Sequence, residues 1–132
     1  MHISLRSGEK IYLNGAVVRV DRKVSIELLN DVTFLLEAHV MQPQDTTTPL
    51  RQLYFVVQTM LIDPASADDA RDLFKTSIEL MLDAYGNPQI IAGLKTVETL
   101  VAQDRRFEAL KAIRNLFPVE AVVLAKDSAE AA

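Results

Sequence analysis

Apolar residues alternate with polar ones through the first third of the chain. Ile3 and Leu5 alternate with His2, Ser4 and Arg6, and Ile11 and Leu13 with Lys10, Tyr12 and Asn14. Val18 and Val20 alternate with Val17, Arg19 and Asp21, and Val24, Ile26 and Leu28 with Lys23, Ser25 and Glu27. Val32, Phe34 and Leu36 do the same with Thr33, Leu35 and Glu37. A period of two in β-branched residues marks half-buried strands. The gaps carry turn chemistry: Ser7-Gly8, Asn14-Gly15, Asp21-Arg22 and Asn30-Asp31. Asn-Gly is the strongest hairpin signal among them. The pattern predicts an antiparallel meander of about five strands.

A polar linker, Gln42–Thr48, ends that pattern, and the period becomes helical. Thr48-Pro49 reads as an N-cap followed by a proline in the first turn. Leu50, Leu53, Tyr54, Val57 and Leu61 then fall on one face, and Asp63-Pro64 stops the helix. A second helix starts at Ser66 on the stripe Ala70, Phe74, Ile78, Met81 and Tyr85. Asp68, Asp69 and Asp72 complement its dipole, which explains them more simply than a cation site. The third helix runs from Pro88 to about Asp104 on Ile90, Leu94, Val97 and Val101. The fourth begins near Arg106 on Phe107, Leu110, Ile113 and Phe117; Pro118 kinks or ends it, unless Val119–Leu124 extends it. The fold class is therefore α+β: a β meander at 1–42, about four helices at 48–124 and a flexible tail at 125–132.

With 49% hydrophobic and 24% charged residues the chain is an ordinary globular protein rather than a disordered one. Apolar runs fall short of the roughly 20 residues of a membrane span. The start, MHISLRSGEK, lacks the apolar stretch of a secretion signal, which points to the cytoplasm. The chain has no cysteine, which removes disulfides, thiolate catalysis and thiolate metal sites. His2 and His39 are the two histidines, and neither stands in a metal-ligand spacing. No glycine-rich phosphate loop is present. No catalytic residues, no metal site and no cofactor are expected, and binding is a better expectation than catalysis.

The net charge of −4 argues against a generic nucleic-acid binder, but its distribution changes that picture. Within residues 1–25, Arg6, Lys10, Arg19, Arg22 and Lys23 face only Glu9 and Asp21. Alternation places Arg6, Lys10, Arg19 and Lys23 opposite the apolar residues, with Tyr12 among them. Basic groups around an aromatic on an open sheet suit single-stranded RNA. The plainer reading is that a strand's outer face must carry something polar and that lysine protects sheet edges. The helical set Arg105, Arg106, Lys111 and Arg114 reads as a solvated face. Val119, Val122, Val123 and Leu124 are leftover hydrophobicity that fits an oligomer or a partner groove.

Three segments, in order and spacing, resemble the flagellin-synthesis regulator FlbT family: LRSGEKIYLNGAVVRV, TTTPLRQLYFVVQTMLIDP and RRFEALKAIRNL. The likeness spans about residues 2–124. Ser7 stands where the family often has proline, and Gln52 where a second basic residue often follows Arg51. The resemblance implies a cytoplasmic post-transcriptional regulator, acting on the 5′ untranslated region of flagellin mRNA to repress translation. Some members activate instead. It also implies a partner of the FlaF type. The N-terminal strands are more weakly similar to the carbon storage regulator CsrA, a dimer of interleaved strands that binds RNA. Arg6 falls where that family has a basic residue, whereas Thr33–His39 carries Glu37 in place of its second basic site.

Together these expectations make 1–42 an RNA-binding and dimerising module. Arg6, Lys10, Tyr12, Arg19, Arg22 and Lys23 are its RNA contacts, and Val119, Val122 and Val123 a docking segment for FlaF or flagellin. The alternative is a protein-binding adaptor in flagellum assembly that does not touch RNA.

Overall fold

The computed structural model describes residues 1–131, with side chains as far as Asp127. Five strands come first: β1 (His2–Leu5), β2 (Lys10–Leu13), β3 (Ala16–Arg19), β4 (Val24–Glu27) and β5 (Phe34–Leu36). Four helices follow: α1 (Pro49–Ile62), α2 (Ala67–Ala84), α3 (Pro88–Ala102) and α4 (Arg106–Ala131). The class is α+β, as the two periodicities predict.

The strand pairing is not that of a simple meander. β1 pairs with β4, while β2 lies between β3 and β5, all antiparallel. Paired residue numbers add to 29 in both β1–β4 and β2–β3. The first 27 residues are therefore one long hairpin about Asn14-Gly15, bent over on itself. Asn14 and Gly15 have φ of 47° and 89°, as a tight two-residue turn with strand-matched twist requires. Ser7-Gly8 and Asp21-Arg22 are not hairpin turns but the two corners of the bend. Gly8 N–H donates to the Val20 carbonyl, Val20 N–H to Glu9, and the Ser7 hydroxyl to the Asp21 carbonyl across the corners.

The bend has an apolar cause. Ile3 and Leu5 share a face with Ile26 and Val24, and Ile11 and Leu13 share one with Phe34 and Leu36. Folding the hairpin brings these two faces into one cluster. The opposite face of β2–β5 carries Tyr12 and Leu35, which pack against the helices. Phe107, in the first turn of α4, joins both clusters and lies 5.3 Å from the Phe34 ring.

Helix α1 is the central helix, packed against α2 and α4, with Leu50, Leu53, Tyr54, Val57, Met60 and Leu61 buried. Its N-terminus is fully satisfied. Pro49 has no N–H, Leu50 N–H donates to the Glu120 carboxylate at 2.9 Å, and Arg51 N–H donates to Thr48 Oγ1 at 3.2 Å. Asn87 caps α3, accepting from Gln89 and Ile90. That helix ends earlier than the pattern suggests, because Asp104 takes a left-handed φ of 58° and Arg105 N–H reaches back to Leu100. Helix α4 runs through Pro118 rather than ending there; the proline takes away only the donor to the Arg114 carbonyl. Of the tail expected at 125–132, residues through Ala131 continue α4, and Ala132 lies outside the described residues.

Helices α3 and α4 meet at Gly93, where an added Cβ would lie 2.5 Å from Leu116 Cδ1 and 2.7 Å from Cδ2. Overpacking costs about 1–3 kcal/mol, more than the roughly 1 kcal/mol that alanine returns in helix propensity. Gly93→Ala should therefore lower the urea midpoint. A raised midpoint would show that the helices do not approach this closely.

Candidate nucleic-acid interface

The bent hairpin distributes the basic residues over two outward faces. Arg6 follows Leu5, the last residue of β1, and Lys23 precedes Val24, the first residue of β4; Leu5 and Val24 point inward, so both basic residues lie on the outer side of that sheet. His2, Ser4, Ser25 and Glu27 share that side. Lys10 and Arg19 are directly paired across β2–β3, on the face that carries Tyr12. Alternation placed all four opposite the apolar residues; the bend then put two on each side of the sandwich. Tyr12 is half-buried because the Leu35 end of its face is covered by helices, leaving its β3 end open. There Val17 is 61% exposed.

These cations are not neutralised by ion pairs. Among the described residues, the salt bridges near the sheet are His2–Glu27 at 3.8 Å and Arg22–Asp21 at 3.5 Å. Arg22 is thus paired and lies at the corner. Two nearby carboxylates are occupied by backbone: Glu9 accepts from Arg6 N–H at 2.9 Å, and Glu37 from Lys10 N–H at 3.1 Å. Of the docking segment, Val119 and Val123 pack against the helical core, and Val122 is 69% exposed.

The helical basic set is not a uniform solvated face. Arg105 pairs with Glu108 at the surface, and Lys111 is exposed. Arg106 turns inward, donating to the Met60 carbonyl at 3.1 Å. Arg114 lies over the Tyr54 ring and donates to its hydroxyl at 3.0 Å; that hydroxyl donates to the His39 carbonyl at 2.5 Å. Arg51 stacks on Phe117, its guanidinium carbon 4.5 Å from the ring centre. The two arginines line a cleft of about 490 Å³ with His39, Asp45, Tyr54 and Phe117. Sequence reasoning missed this group because its members come from α1, α4, the turn after β5 and the linker. The apolar stripe that buries Tyr54 was its one visible sign.

Burial, and after it the charge of Arg114, hold the His39 imidazole below its ordinary value of 6.5. The unfolded chain then binds this proton more readily than the folded one. Stability should fall as pH drops below about 6.5 toward the folded value, and His39→Gln should flatten that dependence. An NMR titration placing His39 at or above 6.5 would contradict the assignment.

Fold and surface together describe a small α+β protein with cations on its sheet that make no ion pair among the described residues, and a second basic cleft among its helices. No cluster of histidine, aspartate or glutamate among the described residues could hold a metal ion. No helix among them is long and apolar enough to cross a membrane. The chain matches the family described as flagellar protein FlbT over residues 1–124, and it belongs to that family. A protein of Mesorhizobium japonicum named "probable flagellum biosynthesis repressor protein FlbT" is 57% identical over 120 residues, 91% of this chain and 82% of its own length. Proteins with the same name from a Chelativorans species and from Agrobacterium fabrum are 57% and 53% identical, covering 92% and 94% of this chain and 84% and 83% of their own lengths. No solved structure matches.

Proposed function

We propose that this protein is a regulator of flagellum synthesis rather than an enzyme, and that it acts by binding the 5′ untranslated region of flagellin mRNA. The observation that carries the RNA reading is the set Arg6, Lys10, Arg19 and Lys23, exposed or half-exposed and without an ion-pair partner among the described residues. The relatives' repressor names support the regulatory part. Lys10, Tyr12 and Arg19 share one face, so a single strand can run over the two cations while a base reaches the exposed part of the tyrosine ring. Purified protein, with no other component present, should bind flagellin leader RNA. Failure to bind at low salt would overturn the reading.

A second reading rests on the face of α2. Leu73 and Leu80 are 55% and 65% exposed beside Leu53 and Val56, and they flank a groove of about 510 Å³ between α1, α2 and the end of α4. Such a patch suits a protein partner of the FlaF type. Leu73→Ser with Leu80→Ser would then abolish partner binding and leave RNA affinity unchanged.

A further inference from the structure

We propose that the cleft between α1, α4 and the segment following β5 seats one nucleotide of a single-stranded RNA, with its phosphate on Arg51 and Arg114 and its base against the Arg51–Phe117 stack. The inference rests on the RNA-binding reading and assigns it a second, separate contact point.

Four observations lead there. First, neither arginine takes part in an ion pair among the described residues, although both line the same cleft. Arg51 spends no side-chain donor on the protein, and Arg114 spends one, on Tyr54. A guanidinium has five donors in a rigid fork that matches phosphate oxygens. Second, the arginines are held in place before any ligand arrives. Phe117 supports one, Tyr54 the other, and the two rings lie 5.7 Å apart. A guanidinium plane stacked on an aromatic ring is also a platform for a base.

Third, His39 Nδ1 is buried at this cleft with no hydrogen-bond partner. Fourth, the cleft continues the sheet face. Lys10 N–H is bound to Glu37, and the next residues, Ala38 and His39, form the cleft wall. A strand leaving Lys10 and Arg19 therefore reaches the arginines without crossing the core. Asp45 is the cleft's carboxylate, exposed at its mouth. It disfavours a bare anion and can accept a hydrogen bond from a ribose hydroxyl or a base amino group. The volume, about 490 Å³, is within the range of small-ligand sites.

Arg51→Gln is the cleaner variant, since the Arg51 side chain makes no protein hydrogen bond; Arg114→Gln serves as the second. Each should leave the thermal midpoint of the full chain within a few degrees. With a single-stranded leader oligonucleotide, each should lower affinity about fivefold near 0.1 M salt and shrink the log–log salt slope by about 0.7, the loss of one phosphate contact. Adenosine 5′-monophosphate and inorganic phosphate, added separately, should shift the Arg51, Arg114 and His39 NMR signals, the nucleotide at lower concentration. A parent chain that binds the oligonucleotide while both variants keep its affinity and slope would overturn the cleft and leave the sheet reading standing. A parent chain that binds no RNA would overturn both, even if free nucleotide occupied the cleft. Phosphate binding as tightly as the nucleotide would overturn the base contact.

Discussion

Replacing Glu120 with alanine should cost about 2–4 kcal/mol of folding stability, a sizeable part of the 5–15 kcal/mol of an ordinary domain. Glu120 is 1% exposed, on α4, and its carboxylate accepts from two groups far away in sequence. Leu50 N–H, in the first turn of α1, donates at 2.9 Å, and the Tyr85 hydroxyl, just past the end of α2, donates at 2.6 Å. Alanine leaves the buried Leu50 N–H without an acceptor, at about 1–3 kcal/mol, and costs the half-buried Tyr85 hydroxyl its partner at about 1 kcal/mol or less, because water can reach it. It also removes a negative charge from the positive end of α1, worth about 0.3–1 kcal/mol more. Glu120→Gln keeps an acceptor oxygen and should lose markedly less. Urea denaturation gives the difference directly. Tyr85 supplies an independent readout. Burial, with the hydrogen bond and charge of Glu120, pushes its hydroxyl well above the ordinary value of 10. In Glu120→Gln it should titrate lower. An alanine variant within about 0.5 kcal/mol of the parent would show that this carboxylate does not hold α1, α2 and α4 together. A chain ended after Leu116 would lose the same carboxylate along with Val119 and Val123. It should lose its helical packing rather than a docking segment alone.

The second large effect concerns the sheet. Changing Arg6, Lys10, Arg19 and Lys23 together to alanine should weaken leader-RNA binding by two to three orders of magnitude near 0.1 M salt. Each neutralised phosphate contributes about 0.7 to the log–log salt slope for a single strand, so four lost contacts remove nearly three from it. Folding should survive, because Arg6, Arg19 and Lys23 are exposed and Lys10 half-exposed, and none of the four makes an ion pair among the described residues. The bend makes the set divisible. Lys10→Ala with Arg19→Ala strips the face that carries Tyr12, and Arg6→Ala with Lys23→Ala strips the other. The first pair should account for the larger share, since a stacking ring lies beside it. Equal affinity and equal slope in the fourfold variant would sink the sheet as an RNA surface.

Much of the architecture was legible along the chain, because local rules set it. The period of two marked all five strands, and Asn14-Gly15 marked the hairpin turn through the backbone signs those residues tolerate. Thr48-Pro49 marked one helix start through the donors a first turn leaves open, and Pro88 marked another. What followed from contacts distant in sequence was not legible. Ser7-Gly8 and Asp21-Arg22 look like hairpin turns, yet they are corners, because burying Ile3 and Leu5 against Ile11 and Phe34 outweighs keeping one flat sheet. The same folding decided which basic residues share a face. Arg114 looked like a solvated residue until Tyr54, 60 positions away, offered its ring and hydroxyl. Nothing along the chain singles out Glu120, two residues past Pro118; its carboxylate stays buried because Leu50 and Tyr85, distant in sequence, supply the donors. Period, turn and cap depend on a few neighbouring residues and can be read from them. The fate of a charge depends on which groups the packed chain brings within hydrogen-bonding distance.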